Sequence, residues 1–131
     1  MIYIDTSALL AVLDQEDINH STAKKTWLGF LETDELLLTN SYVMVESIAI
    51  IQNRLGLKNV RRMTSELLPV IEIDWLDPAQ HEIALNDVLT ANRRNLSLVD
   101  CASFETMRRL RIETVFTFDD HFKEQDFTVI P

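Results

Sequence analysis

A chain of 131 residues with 47% apolar and 25% charged residues has the balance of one folded domain spanning 1–131, which excludes disordered and linker-rich architectures. Two glycines and three prolines are too few for a turn-dense all-β fold, and no apolar run reaches the ~18 residues that a membrane span needs. A net charge of −9, from 21 acidic against 12 basic residues, disfavours a nucleic-acid binder when read alone and makes the placement of the carboxylates the informative question. The single Cys101 cannot close an internal disulfide, and the opening Met-Ile-Tyr-Ile-Asp lacks the basic and long apolar regions of a signal peptide. A reducing, cytoplasmic setting is expected.

Ile2 to Ile4 is predicted as a short strand ending at Asp5, with helical character from Thr6 to Leu13. Ala23, Trp27, Phe30 and Leu31 fall at helical spacing within 21–32. Leu36 to Thr39 reads as a second strand, and Asn40 or Ser41 caps a helix over about 41–55 that ends at Gly56. A further helix is predicted over about 58–68, stopping before Pro69. Val70 to Ile73 is a third strand, and Asp77-Pro78 opens a helix that reaches about Asn92. Ser97 opens a helix to about Leu110, Thr114 to Thr117 is a fourth strand, and Phe127 to Ile130 a short last one. Strands that alternate with helices imply right-handed crossovers, so the expected fold is a three-layer α/β/α sandwich with a mainly parallel four- or five-stranded sheet.

Four carboxylates occupy telling places. Asp5 ends the first strand, where parallel sheets bind ligands, although a helix cap accounts for an Asp there equally well. Glu46 lies in Tyr-Val-Met-Val-Glu-Ser-Ile-Ala-Ile-Ile, which is apolar nearly all round. A carboxylate buried there must be protonated, bound to a metal or paired, for instance with Arg54. Asp100 follows Ser97 by three residues, a capping-box pattern, yet its neighbours Leu98, Val99, Cys101 and Ala102 place it off an open face. Asp119 follows the fourth strand, and the adjacent Asp120 points elsewhere.

Carboxylates gathered in this way repel one another unless a cation binds, and oxygen-only ligation suits Mg²⁺ or Mn²⁺ better than Zn²⁺. His20, His81 and His121 are scattered and read as surface or structural residues. The chain has no glycine-rich phosphate loop and no Gly-x-Ser-x-Gly elbow, and Cys101 has no obvious base partner. Metal-assisted hydrolysis is the chemistry that remains.

The start, Met-Ile-Tyr-Ile-Asp-Thr-Ser-Ala-Leu-Leu, closely resembles the opening of PIN-domain ribonucleases. Ser-Leu-Val-Asp-Cys-Ala-Ser-Phe-Glu-Thr-Met-Arg-Arg-Leu at 97–110 resembles their third acidic motif, and Thr-Phe-Asp-Asp-His-Phe at 117–122, followed by Phe127, their fourth. Glu46 falls at the second position. The ordered set, over essentially the whole chain, is similar to the small VapC-type toxins of toxin–antitoxin pairs. The resemblance implies a Mg²⁺- or Mn²⁺-dependent endoribonuclease, homodimeric and inhibited by a cognate antitoxin. It assigns catalysis and metal binding to Asp5, Glu46, Asp100 and Asp119, with Asp120 at a variable position.

Thr6, Ser7 and Thr117 are candidates for holding a substrate phosphate or a water. Lys24, Lys25, Arg54, Lys58, Arg61, Arg62, Arg93 and Arg94 supply an RNA track if they converge on the cleft. Surplus apolar residues in Val43 to Ile51 and Ala8 to Leu13 suggest a homodimer face or a groove for an antitoxin helix. Two rival classes stand beside this one. A non-catalytic PIN-like binding module would lose acids that are all present here. An aspartate-based phosphotransfer enzyme of the haloacid type usually carries a second Asp where this chain has Ser7.

Overall fold

The central strand, β1 (Ile2–Ile4), is buried along its whole length, with Tyr3 and Ile4 fully enclosed. A computed structural model, which describes Met1–Pro131 throughout, places this strand in the middle of a five-stranded parallel sheet. Its neighbours are β2 (Leu37–Asn40), β3 (Ile71–Asp74), β4 (Thr114–Phe116) and β5 (Thr128–Ile130), in the order β3-β2-β1-β4-β5. Seven α-helices cover the sheet: α1 (Thr6–Leu13), α2 (His20–Glu32), α3 (Ser41–Leu55), α4 (Leu57–Arg62), α5 (Pro78–Ala91), α6 (Leu98–Arg109) and α7 (His121–Glu124). The three-layer α/β/α architecture expected from the sequence is the one observed, with five strands.

The strand order matters for the site. From β1 the chain winds outward through β2 and β3, then returns to the other side of β1 as β4 and β5. The crevice of such a sheet opens at the carboxyl ends of the two strands flanking that reversal. Those ends are Asp5, after β1, and Thr117 to Asp119, after β4.

Local chemistry explains most boundaries. Gly56 ends α3 with φ +80°, a left-handed value that favours glycine, and its N–H bonds Gln52 O at 3.2 Å. Asp77 and Gln80 close a capping box around the proline that opens α5. The helix expected over 58–68 is a correction: α4 stops at Arg62, Met63–Leu67 continue in a wider π turn, and Leu68–Val70 form a 3₁₀ turn that includes Pro69. Proline restricts the residue before it and cannot donate to a helix, so regular α geometry gives way upstream. The four-residue α7 carries too little periodicity to be read from sequence. It forms where Asp120 O accepts the N–H groups of Lys123 and Glu124.

Asn40, fully buried at the end of β2, joins α3 to α6. Its Oδ1 accepts the Val43 N–H of α3 at 2.9 Å, and its Nδ2 donates to Thr106 Oγ1 of α6 at 3.1 Å. Asn40→Ala removes a helix cap and strands a buried hydroxyl and N–H, so it should cost about 2–3 kcal/mol. Urea denaturation checks this, and a loss within about 0.5 kcal/mol, the usual range of a surface substitution, would contradict it.

Candidate active site

Asp5 caps α1 and anchors the crevice at the same time. Its Oδ2 accepts the Ser7 N–H at 3.4 Å, the Ser7 hydroxyl at 2.9 Å and the Thr117 hydroxyl at 2.8 Å. Ser7 Oγ in turn accepts the Phe118 N–H at 2.9 Å, and Thr117 Oγ1 accepts the Asp119 N–H at 3.0 Å. The loop after β4 is thereby stitched to the first turn after β1. Oδ1 of Asp5 is left without a side-chain donor.

Burial pushes the Asp5 carboxyl up to about 6 from an ordinary 3.8; the Thr117 and Ser7 hydroxyls offset part of the rise, and the charge of Asp100 adds to it. Glu46 on α3 is half-buried and likewise raised, first by burial and again by Asp100, with the Thr6 hydroxyl beside it acting in the opposite sense. One carboxylate therefore acts on two others, which places Asp5, Glu46 and Asp100 in a single electrostatic neighbourhood. Glu46 forms no ion pair, so the alternative pairing with Arg54 is not realised.

Asp100 carries both of the roles weighed for it. Its Oδ2 accepts the Ser97 N–H and Ser97 Oγ accepts the Asp100 N–H, each at 3.0 Å, a complete capping box at the start of α6. The same carboxylate lies 3.5 Å from His121 Nδ1, which is 3.2 Å from Asp119 Oδ1. Asp119 is fixed by accepting the His121 N–H at 2.9 Å, while Asp120 is exposed. One ligand atom from each of Asp100, Asp119 and His121 lies within 4.8 Å of the others.

His121, read from the sequence as surface or structural, stands between two of the four acids, and its place two residues after Asp119 is the signal for that position. His20, bonded through Nδ1 to Ala11 O at 2.8 Å, and His81, which meets the Tyr42 hydroxyl, are structural as read.

The eight candidate RNA-binding cations separate into groups. Lys24, Lys25, Lys58 and Arg62 lie around the grooves beside α2 and α4, whereas Arg93 and Arg94 follow α5. Arg62 pairs with Glu66 at 3.5 Å, and Arg93 with Glu124 at 2.8 Å. Arg94 is exposed and unpaired, three residues before Ser97.

The chain matches the PIN domain family model over residues 2–128 and belongs to that family, as its four motifs led one to expect. Among its relatives is the 23S rRNA-specific endonuclease VapC20 of Mycobacterium tuberculosis, 27% identical over 131 residues that cover 99% of this chain and 98% of the relative. The crystal structure of M. tuberculosis VapC20, a sarcin-ricin loop cleaving toxin, superposes with a TM-score of 0.86 at 26% identity, covering 98% and 97% of the two chains. FitAcB from Neisseria gonorrhoeae shares the fold, with a TM-score of 0.68 at 20% identity over 100% and 97% of the chains.

The raised Asp5 carboxyl has a thermodynamic consequence. Folding binds a proton between the unfolded value near 3.8 and the folded value near 6, so this contribution is fully present below 3.8 and lost as pH rises through 6. The ionised, metal-free fold carries a penalty of about 3 kcal/mol at neutral pH. Asp5→Asn keeps a capping oxygen and removes the charge, so in chelator it should melt above wild type at pH 7.5, with the gap closing toward pH 4. A lower melting temperature at pH 7.5 would contradict this reading.

Proposed function

We propose that this chain is a divalent-metal-dependent endoribonuclease that serves as the toxin of a toxin–antitoxin pair, with Asp5, Glu46, Asp100 and Asp119 as the catalytic, metal-holding acids. The observation that carries the reading is the Asp5, Glu46 and Asp100 neighbourhood, where like charges crowd with no Lys or Arg among them. That donor set, with Asp119 alongside, fits a hard cation such as Mg²⁺ or Mn²⁺. When bound, the ion polarises the scissile phosphodiester and lowers the pKa of an attacking water.

The protein's own contribution is to hold oxygens in fixed positions. Asp5 is locked by two hydroxyls on Oδ2, Asp100 by its capping box and Asp119 by the His121 N–H. Each acid keeps a second oxygen for a ligand, so little reorganisation is needed when substrate arrives. Arg94, unpaired near the start of α6, is available to a phosphate of the RNA backbone. Phosphotransfer through Asp5 is disfavoured because Ser7 occupies the second-Asp position and is committed to the Asp5 and Phe118 bonds. A non-catalytic module is disfavoured by the presence of all four acids.

RNA as substrate is supported by the full-length kinship with an rRNA-cleaving toxin. For the antitoxin, a groove of about 270 Å³ between α1, α2 and the end of the π turn offers Val12, Leu13, Trp27, Leu28, Leu31 and Leu67 to an apolar helix. A basic antitoxin tail would meet a −9 surface favourably. For a homodimer, α3 and α5, joined by Tyr42 and His81, expose Val45, Ile83 and Leu89 at 60%, 50% and 68%. No helix is long and apolar enough to cross a membrane, and the cytoplasm is the proposed setting.

The decisive comparison is between Asp119→Asn and Asp120→Asn. Loss of a residue that merely supports a metal ligand costs about 10- to 100-fold, so Asp119→Asn should lose at least about 100-fold in cleavage of a purified RNA substrate. Asp120→Asn should stay close to wild type. Expressed alone, wild type and Asp120→Asn should arrest growth, Asp119→Asn should not, and the cognate antitoxin should restore growth. The reverse ranking would move the site to Asp120, and normal growth with abundant wild-type protein would count against the toxin reading.

A further inference from the structure

Thr6, the first residue of α1, is 6% exposed, and its hydroxyl has no hydrogen-bond partner. The hydroxyls of its neighbours in space behave differently. Ser7 and Thr117 each donate to Asp5 and accept a backbone N–H, so both are satisfied within the protein. Thr6 follows Asp5 directly and lies close enough to the Glu46 carboxylate for its hydroxyl to favour the ionised form, but no partner falls within full hydrogen-bond distance of Oγ1.

A buried hydroxyl offers one donor and two acceptor sites, and leaving all of them empty is unfavourable. The ionised acids around it only accept, so nothing in Asp5, Glu46 or Asp100 can donate to Thr6 Oγ1. The site thus leaves room for a donor carried by a bound ligand. A hydrated divalent cation supplies one, because Mg²⁺ gives up its waters reluctantly and binds proteins through only a few carboxylates.

Resting on the metal-dependent reading of this site, we propose that Thr6 is a positioning residue: its oxygen accepts a hydrogen bond from a water of the hydrated cation while its O–H donates to Glu46. The hydroxyl thereby couples Glu46 to the ion without being a ligand itself.

The test uses the full chain as wild type, Thr6→Val and Thr6→Ser. Thermal unfolding is followed in chelator and across a Mn²⁺ titration without RNA, and kcat and KM for RNA cleavage are measured at fixed Mn²⁺. Thr6→Val removes an unpaired hydroxyl at constant shape, so it should melt no lower than wild type in chelator. It should need about 10-fold more Mn²⁺ for the half-maximal shift, and at sub-saturating Mn²⁺ its kcat should fall while KM holds. Thr6→Ser should restore both.

A wild-type Mn²⁺ response in Thr6→Val would overturn the proposal. So would a raised KM with unchanged Mn²⁺ response, which assigns the hydroxyl to the substrate phosphate. Failure of Thr6→Val to fold, or a lower melting temperature in chelator, assigns the hydroxyl a structural role and overturns it too. If wild type itself shows no Mn²⁺ shift, the metal-dependent reading falls and this proposal with it.

Discussion

The bond from the Thr117 hydroxyl to Asp5 Oδ2, 2.8 Å long and buried, ties together the two strand ends at which the sheet reverses direction. With Ser7 it converts the gap between β1 and β4 into a fixed floor, from which the remaining acids take their positions. The tie works against a cost. Asp5 sits where burial favours its neutral form, and the hydroxyls only partly compensate. The fold therefore holds its first strand end together with a carboxylate that would be more comfortable in water.

The same logic runs through Asp100 and Asp119. Asp100 caps α6 and Asp119 accepts the first N–H of α7, so the bonds that start these helices also aim the carboxylates. Asn40 does the equivalent work one layer further in, holding α3, which carries Glu46, against α6, which carries Asp100. Cap and site are one arrangement seen from two sides. Removing the charge while keeping the capping oxygen separates the two contributions, because under the proposed metal dependence stability and cation response would move in opposite directions.

Legibility in the sequence followed the range of the interaction that fixed each feature. Strands and most helices were readable because apolar spacing, the Asp77-Pro78 start and Gly56 act within a few residues. The break after Arg62 was not, since it depends on how Met63 and Leu67 are drawn into the core ahead of Pro69. Among the proposed site residues, Asp5, Glu46, Asp100 and Asp119 drew attention through their apolar surroundings and the family's motif order. The neighbourhood of His121 was harder to read, because a histidine at the head of a four-residue helix has only its distance from Asp119 to mark it. Only the fold brings it between Asp100 and Asp119. The empty hydroxyl of Thr6 was equally invisible, since satisfaction of a buried group is a property of three-dimensional neighbours.

Crystals equilibrated with millimolar Mn²⁺ and measured for anomalous scattering test the central claim most directly. The account predicts an anomalous peak enclosed by carboxylate oxygens of Asp5, Glu46, Asp100 and Asp119, with Asp120 directed to solvent. Ordered side chains at those four positions with no peak among them, or with a Lys or Arg side chain occupying the space, would contradict it.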